Sequence, residues 1–283
     1  MIVTVVTPTL NAAKYLQECI DSAKRNNSSL VEVEHVIVDG GSTDGTVEIA
    51  ESQGLRVLKG KDKGIFDAIN KGSFASSGEL LGFLGADDIM LEGALDAVVR
   101  GYMESGKRWV VGGIKWIDEN GTGMGGLAAP PVWMTPRLHV CLGWNPIMHM
   151  STYISRDFFV ELGGFDINFK DSGDYDMFAR ALSRAPYHRL ARPVGCFRQT
   201  GMNNSATNGA RTMRENGVVR DKFGPSAAWE RRFWQLALKL WFNARNPDWA
   251  LVKLRELWQA RMGYSTVTHF SQPAISPGSS KPL

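Results

Sequence analysis

Residues 31–53 read VEVEHVIVDGGSTDGTVEIAESQ. The first eight carry Val and Ile in the pattern of a strand. DGGSTDGT then makes a turn of Gly, Ser and Asp, residues that tolerate tight backbone and leave amides exposed. Thr46 to Gln53 predicts a helix. A strand that passes through an acidic turn into a helix is the repeating unit of an α/β fold. In open sheets of that kind, ligands bind beyond the carboxyl ends of the strands.

The unit recurs on either side. Residues 2–7 predict a first strand, followed by Asn11 as N-cap of a helix over 12–26. LRVLKG predicts a third strand, 65–76 a helix, and 79–84 a strand running into GADD. A helix over 92–104 and a strand at RWVVGGIKWID follow. This alternation implies a mixed, mostly parallel sheet with helices on both faces. GTGMGGLAAPP, at 121–131, predicts a mobile loop. The pattern resumes with a helix from Arg156 to the Gly163–Gly164 pair, another from near Asp174, and a strand at RLARPVGCFRQ. Three regions result: an α/β domain over 1–224, a Trp-rich helical extension over 225–264 broken at Asn246–Pro247, and a disordered tail over 265–283.

Composition narrows the classes. The chain has 283 residues and a net charge of +3, too small to argue for nucleic acid. Cys19, Cys141 and Cys196 form no CxxC, which argues against a disulfide framework or a zinc ribbon and for a reducing, cytoplasmic setting. MIVTVVTPTL lacks the basic start of a signal peptide. No apolar run approaches the roughly 20 residues that span a bilayer.

Carboxylates mark the strand ends. Asp39 follows the second strand, and Asp87 and Asp88 follow ELLGFLGA. Two adjacent carboxylates repel unless a cation sits between them. Mg²⁺ takes one or two carboxylates together with substrate phosphates. Asp62 and Lys63 precede a helix bearing Asp67 and Asn70 on one face, and Lys63 suits a phosphate at that helix start. Each residue also has a plainer role: Asp39 in its turn, Asp87 and Asp88 as helix-start charges, and the Asp67 helix as a solvated face.

Taken in order, TPTLN, VDGGSTDGT, DKGIFDAINKG, GFLGADD, GGFD and GDYDMFAR resemble glycosyltransferase family 2, of the GT-A fold, over roughly residues 1–200. The resemblance implies an inverting enzyme that moves a sugar from a nucleoside diphosphate donor to an acceptor hydroxyl with Mg²⁺ or Mn²⁺. It implies Thr7, Pro8, Thr9 and Asp39 around the nucleoside, Asp62 and Asn70 as donor contacts, and Asp88 as metal ligand with Asp87 on donor sugar or metal. The family's usual Asn, Asp or Ser is Gly85 here. Asp174 takes the place of the general base. Asp176 competes for it, but the two diverge by about 200° around a helix, so one alone faces the site. His149 and Arg198 stand as acceptor or donor-sugar contacts, beside the plainer readings of a core histidine and a surface ion pair. The polar stretch 200–210 suits a lid.

Uridine as the base rests on the resemblance alone. So does a hexosyl or N-acetylhexosaminyl transfer to a lipid-linked acceptor or growing surface polysaccharide of the cell envelope. A nucleotidyltransferase is the first alternative, disfavoured because TPTLNAAKYL carries no glycine-rich loop. A non-catalytic sugar-nucleotide-binding module is the second, disfavoured because Asp88 and Asp174 are both present. A dehydrogenase lacks its GxGxxG. Residues 225–264 hold five of nine Trp and seven Lys/Arg against three Asp/Glu. That mixture suits an anionic membrane surface on the inner face of the cell membrane, or two helices packing their Trp on the core.

Overall fold

β1 (Ile2–Thr9) is buried along nearly its whole length, as a central strand must be when both sheet faces are covered. In this computed structural model, which describes residues 1–200, 208–225 and 227–247 with Leu251 and Trp258, β1 lies between two parallel neighbours. β2 (Glu32–Asp39) pairs with it from Ile2↔Glu32 to Thr9↔Asp39, and β4 (Leu80–Phe83) from Val3↔Leu80 to Val6↔Phe83. β3 (Arg56–Lys59) extends this half beyond β2.

The other half is mixed. β8 (Thr152–Ser155) runs antiparallel to β4 and to β6 (Trp109–Ile117), while β9 (His188–Arg198) runs parallel to β6. β5 (Ile89–Met90) closes the order β3-β2-β1-β4-β8-β6-β9-β5.

Alternation along the strands sorts two cores. Val3, Val5, Leu80 and Leu84 face α1 (Ala13–Lys24) and α4 (Ala94–Ser105). Val6, Leu81 and Phe83 face the opposite layer with Phe66 and Ile69 of α3 (Ile65–Ala75). Period-2 side chains put successive residues on opposite faces, which is why both layers can be apolar. α3 lies hard against the sheet: a Cβ on Gly72 would stand 2.4 Å from Val6 Cγ1 and 2.9 Å from Val38 Cγ2.

The sheet corrects one expectation. Gly123–Leu127, read above as loop, is β7, antiparallel to β6 from Ile114↔Leu127 to Ile117↔Gly123. Its glycines hid it, because strand signals come from branched side chains and this pairing depends on backbone approach. A Cβ on Gly126 would stand 2.8 Å from the Ile114 carbonyl. Asn11 also differs: it sits at φ 51, one residue before the Ala12 N-cap of α1. There its side chain accepts from the Thr43 amide instead.

After β9 come α8 (Gly209–Phe223) and α9 (Ala228–Arg245), the latter ending at Asn246 as read. Most of the 200–210 stretch, most of 248–264 and the tail 265–283 lie outside the described residues. Among the described residues no helix is long and apolar enough to cross a membrane.

Gly72→Ala should destabilise the fold by about 1–3 kcal/mol through overpacking. Gly123→Ala, where nothing lies within 4 Å, should be near neutral. Urea melts of both variants check this, and equal midpoints would refute the tight α3 contact.

Candidate active site

The strands β3, β2, β1 and β4 end on one side of the sheet, and their turns are laced together there. Ser42 Oγ accepts the Asn11 amide at 2.8 Å, Thr46 Oγ1 accepts Ala12 at 2.8 Å, and Asp44 accepts Ala13 at 3.0 Å. Asp39 anchors the second turn. Its carboxylate accepts from Thr9 Oγ1 at 3.0 Å, Ser42 Oγ at 2.5 Å, and the Gly41 and Ser42 amides at 2.9 Å each. Burial pushes this carboxyl up, but those donors outweigh it and hold it below the ordinary range. Asp39 therefore stays ionised and largely occupied by its own turn. Thr9 supports it. Thr7 is fully buried, 2.9 Å from His35 Nε2. Pro8 is partly buried between them.

Asp62 adds a second carboxylate beside this turn. Oδ1 accepts the Gly64 amide at 2.8 Å. Oδ2 lies 2.7 Å from where a Cβ on Gly40 would sit, so glycine makes room for it. Lys63 is exposed; its amide donates to Asp67 and its carbonyl accepts from Lys170 Nζ at 2.6 Å. Asn70 has a different engagement from the one expected. Its amide donates to the Phe165 carbonyl and accepts the Phe165 amide, both at 2.8 Å, tying α3 to the GGFD turn.

The acidic pair sits on the turn after β4. The Asp88 amide donates to the Gly85 carbonyl at 3.0 Å, and both carboxylates fold back over that glycine. A Cβ at Gly85 would lie 2.5 Å from Asp88 Oδ2 and 3.1 Å from Asp87 Oδ1. A side chain here would have to displace those two carboxylate tips, so Gly85 and the folded-back acidic pair go together. Burial, then the neighbouring Asp87, pushes the Asp88 carboxyl up to about 7.

Arg198, at the end of β9, holds the turn from beneath. It is 2% exposed. Its amide donates to Asp88 Oδ1 at 3.0 Å and Nε to the Asp87 carbonyl at 2.8 Å. Nη1 donates to the Glu119 carbonyl at 3.1 Å, and Nη2 to Glu18 at 2.5 Å. The plainer reading holds in part: Arg198 pairs with the half-exposed carboxylate of Glu18, while the guanidinium itself is buried among acceptors of the scaffold.

His149 and Asp174 complete the arrangement. His149, in a 3-10 turn over His149–Ser151, places Nδ1 3.7 Å from Asp174 Oδ2, an ionic contact longer than a hydrogen bond. Burial pulls the His149 imidazolium down, but Asp174, Asp88 and Asp87 outweigh it and raise it above the ordinary histidine value. Asp174 stands at the start of α7 (Gly173–Arg184), where Gly173 lets the helix meet Phe66: a Cβ there would be 2.6 Å from the ring. Asp176 faces the other way as the helical spacing requires. It is buried, bound to Arg180 Nε at 2.6 Å and Lys222 Nζ at 3.0 Å. Its expected contact with acceptor or donor sugar is thereby corrected.

The turn before Asp174 is fixed by α8, which no motif announced. Glu215 accepts three successive amides, from Lys170, Asp171 and Ser172. Arg211 pairs both oxygens of Asp171 at 2.7 and 2.8 Å. The signal available was Arg211 and Glu215 at helical i, i+4 spacing with acids ahead of them, which is common on solvated helices.

Among the described residues no cluster of three or more His, Cys, Asp or Glu could hold a metal alone. Asp88 and Asp87 still fit Mg²⁺ or Mn²⁺. They are hard oxygen donors folded over the same glycine, and Mg²⁺ commonly completes its shell from substrate phosphates and water.

Comparison with known proteins bears on the family and the fold. The model described as Glycosyl transferase family 2 matches residues 4–161. The PGL/p-HBAD biosynthesis glycosyltransferase of Mycobacterium bovis (strain BCG / Pasteur 1173P2) is 30% identical over 187 residues, spanning 64% of this chain and 69% of the relative. S. aureus TarS 1-349 in complex with UDP-GlcNAc superposes with TM-score 0.62 at 18% identity, covering 83% of this chain and 70% of that one. The mannosyltransferase PcManGT from Pyrobaculum calidifontis, in complex with GDP-Man and Mn²⁺, gives 0.60 at 19% identity, covering 94% and 76%. At such identities the two structures speak for the fold, which is GT-A.

The raised Asp88 carboxyl has a signed consequence. A group whose folded pKa exceeds its unfolded value supports the fold below about pH 4 and loses that support as pH rises through about 7. His149 shifts in the same direction. In chelating buffer at about pH 8, Asp88→Asn should raise Tm by a few degrees, about the effect of 1 kcal/mol in a domain this size. A lower Tm for the variant would overturn the reading.

Proposed function

The chain belongs to glycosyltransferase family 2, and on that premise we propose that it transfers a hexose or N-acetylhexosamine, with inversion, from a nucleoside diphosphate donor to an acceptor hydroxyl. UDP-sugar is the donor we favour, and a lipid-linked or growing surface glycan the acceptor. The observation that carries the proposal is the acidic pair Asp87 and Asp88 on the turn after β4 together with Asp174, 3.7 Å from His149, at the start of α7.

In this reading the β1 and β2 turns, with Thr9, Pro8, Asp39 and Asp62, form the nucleoside side. Asp39 acts through the amides it orders, while Asp62 offers the freer carboxylate. Lys63 lies on the diphosphate side. Thr7 and Asn70 shape the floor and the α3 contact without touching the donor. Asp88, with Asp87, would hold Mg²⁺ or Mn²⁺, which supplies positive charge for the departing diphosphate. Arg198 keeps that pair in place.

Inversion needs no covalent nucleophile. Asp174 accepts the proton as the acceptor oxygen bonds to the anomeric carbon, and the diphosphate oxygen leaves with the electron pair of the broken bond. His149 steadies the Asp174 carboxylate and faces the acidic pair, so it marks the boundary between acceptor and donor. We place this work in the cytoplasm, at the inner face of the cell membrane. The unit boundaries 1–224 and 225–264 belong to the same proposal, with the second part serving the acceptor.

Asp174→Asn should keep UDP affinity and lower transfer by about two to four orders of magnitude, the range for losing a general base. Asp176→Asn should mainly lower Tm, since it weakens the pairs to Arg180 and Lys222. Nucleoside diphosphate release across a panel of nucleotide sugars, with and without Mn²⁺, measures the first and thermal melts the second. A more damaging effect of Asp176→Asn on turnover would overturn the assignment. Asp88→Ala should stay folded and lose Mn²⁺-dependent UDP binding by calorimetry; undiminished, Mn²⁺-dependent affinity would remove Asp88 from the metal.

A further inference from the structure

The Trp-rich extension divides its aromatic residues between two faces of α9. On the inner face Leu238 and Phe242 are fully buried in the main core. Phe242 meets Trp144 at 5.6 Å, and Trp241 meets Trp133 at 6.5 Å. Asn246 then fastens the helix end, accepting the Ala128 amide at 2.7 Å. The outer face is the reverse. Trp229, Phe233, Leu236 and Leu240 are 74%, 58%, 60% and 61% exposed. At 3.6 residues per turn these four fall within roughly 60° of arc, a continuous apolar stripe. Beyond the helix, Leu251 and Trp258 are exposed as well.

We propose that this outer face of α9 is a docking surface for an anionic lipid bilayer, with the helix lying in the plane of the headgroups. The charge beside the stripe selects the occupant. Arg232 and Lys239 are exposed along one edge of it. The helix has a single acid, Glu230, which faces inward and pairs with Arg137. A second copy docked on this face would bring like charges together with no carboxylate to meet them. Anionic headgroups supply the missing charge, and the acyl boundary takes the Trp, Phe and Leu. The inner face ties the helix to Trp144, on the segment that leads into His149, so a bilayer held by α9 has a fixed relation to the site. This deepens the proposed acceptor class, resting on that reading for its purpose and on none of its chemistry for its test.

The full chain is sedimented with phosphatidylcholine vesicles and with vesicles that also contain phosphatidylglycerol. Binding is expected to the second kind, and to weaken with salt without vanishing, because the apolar contacts are not screened. The double variant Leu236→Glu with Leu240→Glu should lose binding while keeping the wild-type Tm and UDP affinity, since both side chains are exposed. Arg232→Gln and Lys239→Gln should each weaken binding roughly fivefold on the anionic vesicles alone, the equivalent of about 1 kcal/mol per basic residue. Indifference to both vesicles, equal binding to both, or undiminished binding by the Glu variant would overturn the proposal. So would a dimer in solution that the Glu variant dissolves, since a second copy would then be the occupant. Vesicle binding with no affinity for UDP would instead count against the catalytic reading alone.

Discussion

One guanidinium, taken almost wholly out of water, holds this site together. Burying the charge of Arg198 costs several kcal/mol unless its donors are met. Here the Asp87, Asp118 and Glu119 carbonyls and the Glu18 carboxylate meet them, and the Tyr15 ring lies 4.7 Å away. Those acceptors come from three places: the turn after β4, the turn between β6 and β7, and α1. A lysine has no planar fork to reach all three. The acidic pair can therefore stay crowded and half-desolvated because its backbone is pinned from below.

The site is otherwise assembled by clamps that reach far along the chain. Asn70 grips Phe165, Glu215 grips the turn at 170–172, and Gly173 lets α7 settle on Phe66. Each relieves Asp174 of freedom from a different direction. What is left at the strand ends is small: the ordered turn at Asp39, the Asp62 carboxylate, the acidic pair, and Asp174 with His149.

Local pattern made the parallel half of the fold legible. β1, β2 and β4 announce themselves through branched apolar residues, and the acidic turns after β2 and β4 through composition. Asp174 and Asp176 could be separated by helical angle alone, and the structure sends them to opposite sides. β7 escaped because its glycines carry no side-chain signal. The roles of Arg198, Asn70 and Glu215 escaped for a different reason. Their partners lie 111, 95 and 44 residues away, and no local window contains both ends of such a bond. The Trp cluster was legible as a choice between core and membrane; α9 assigns Trp241 to the first and leaves Trp229 outside it.

Gly85 carries a consequence beyond fit. The three atoms nearest the space above it all belong to the Asp87 and Asp88 carboxylates. Any side chain there would leave those tips one way to turn, outward. Glycine lets them fold inward over the turn. The acidic pair thereby rests against bare backbone, and the size of one side chain at position 85 sets how far it can withdraw from the spot where incoming charge must be matched.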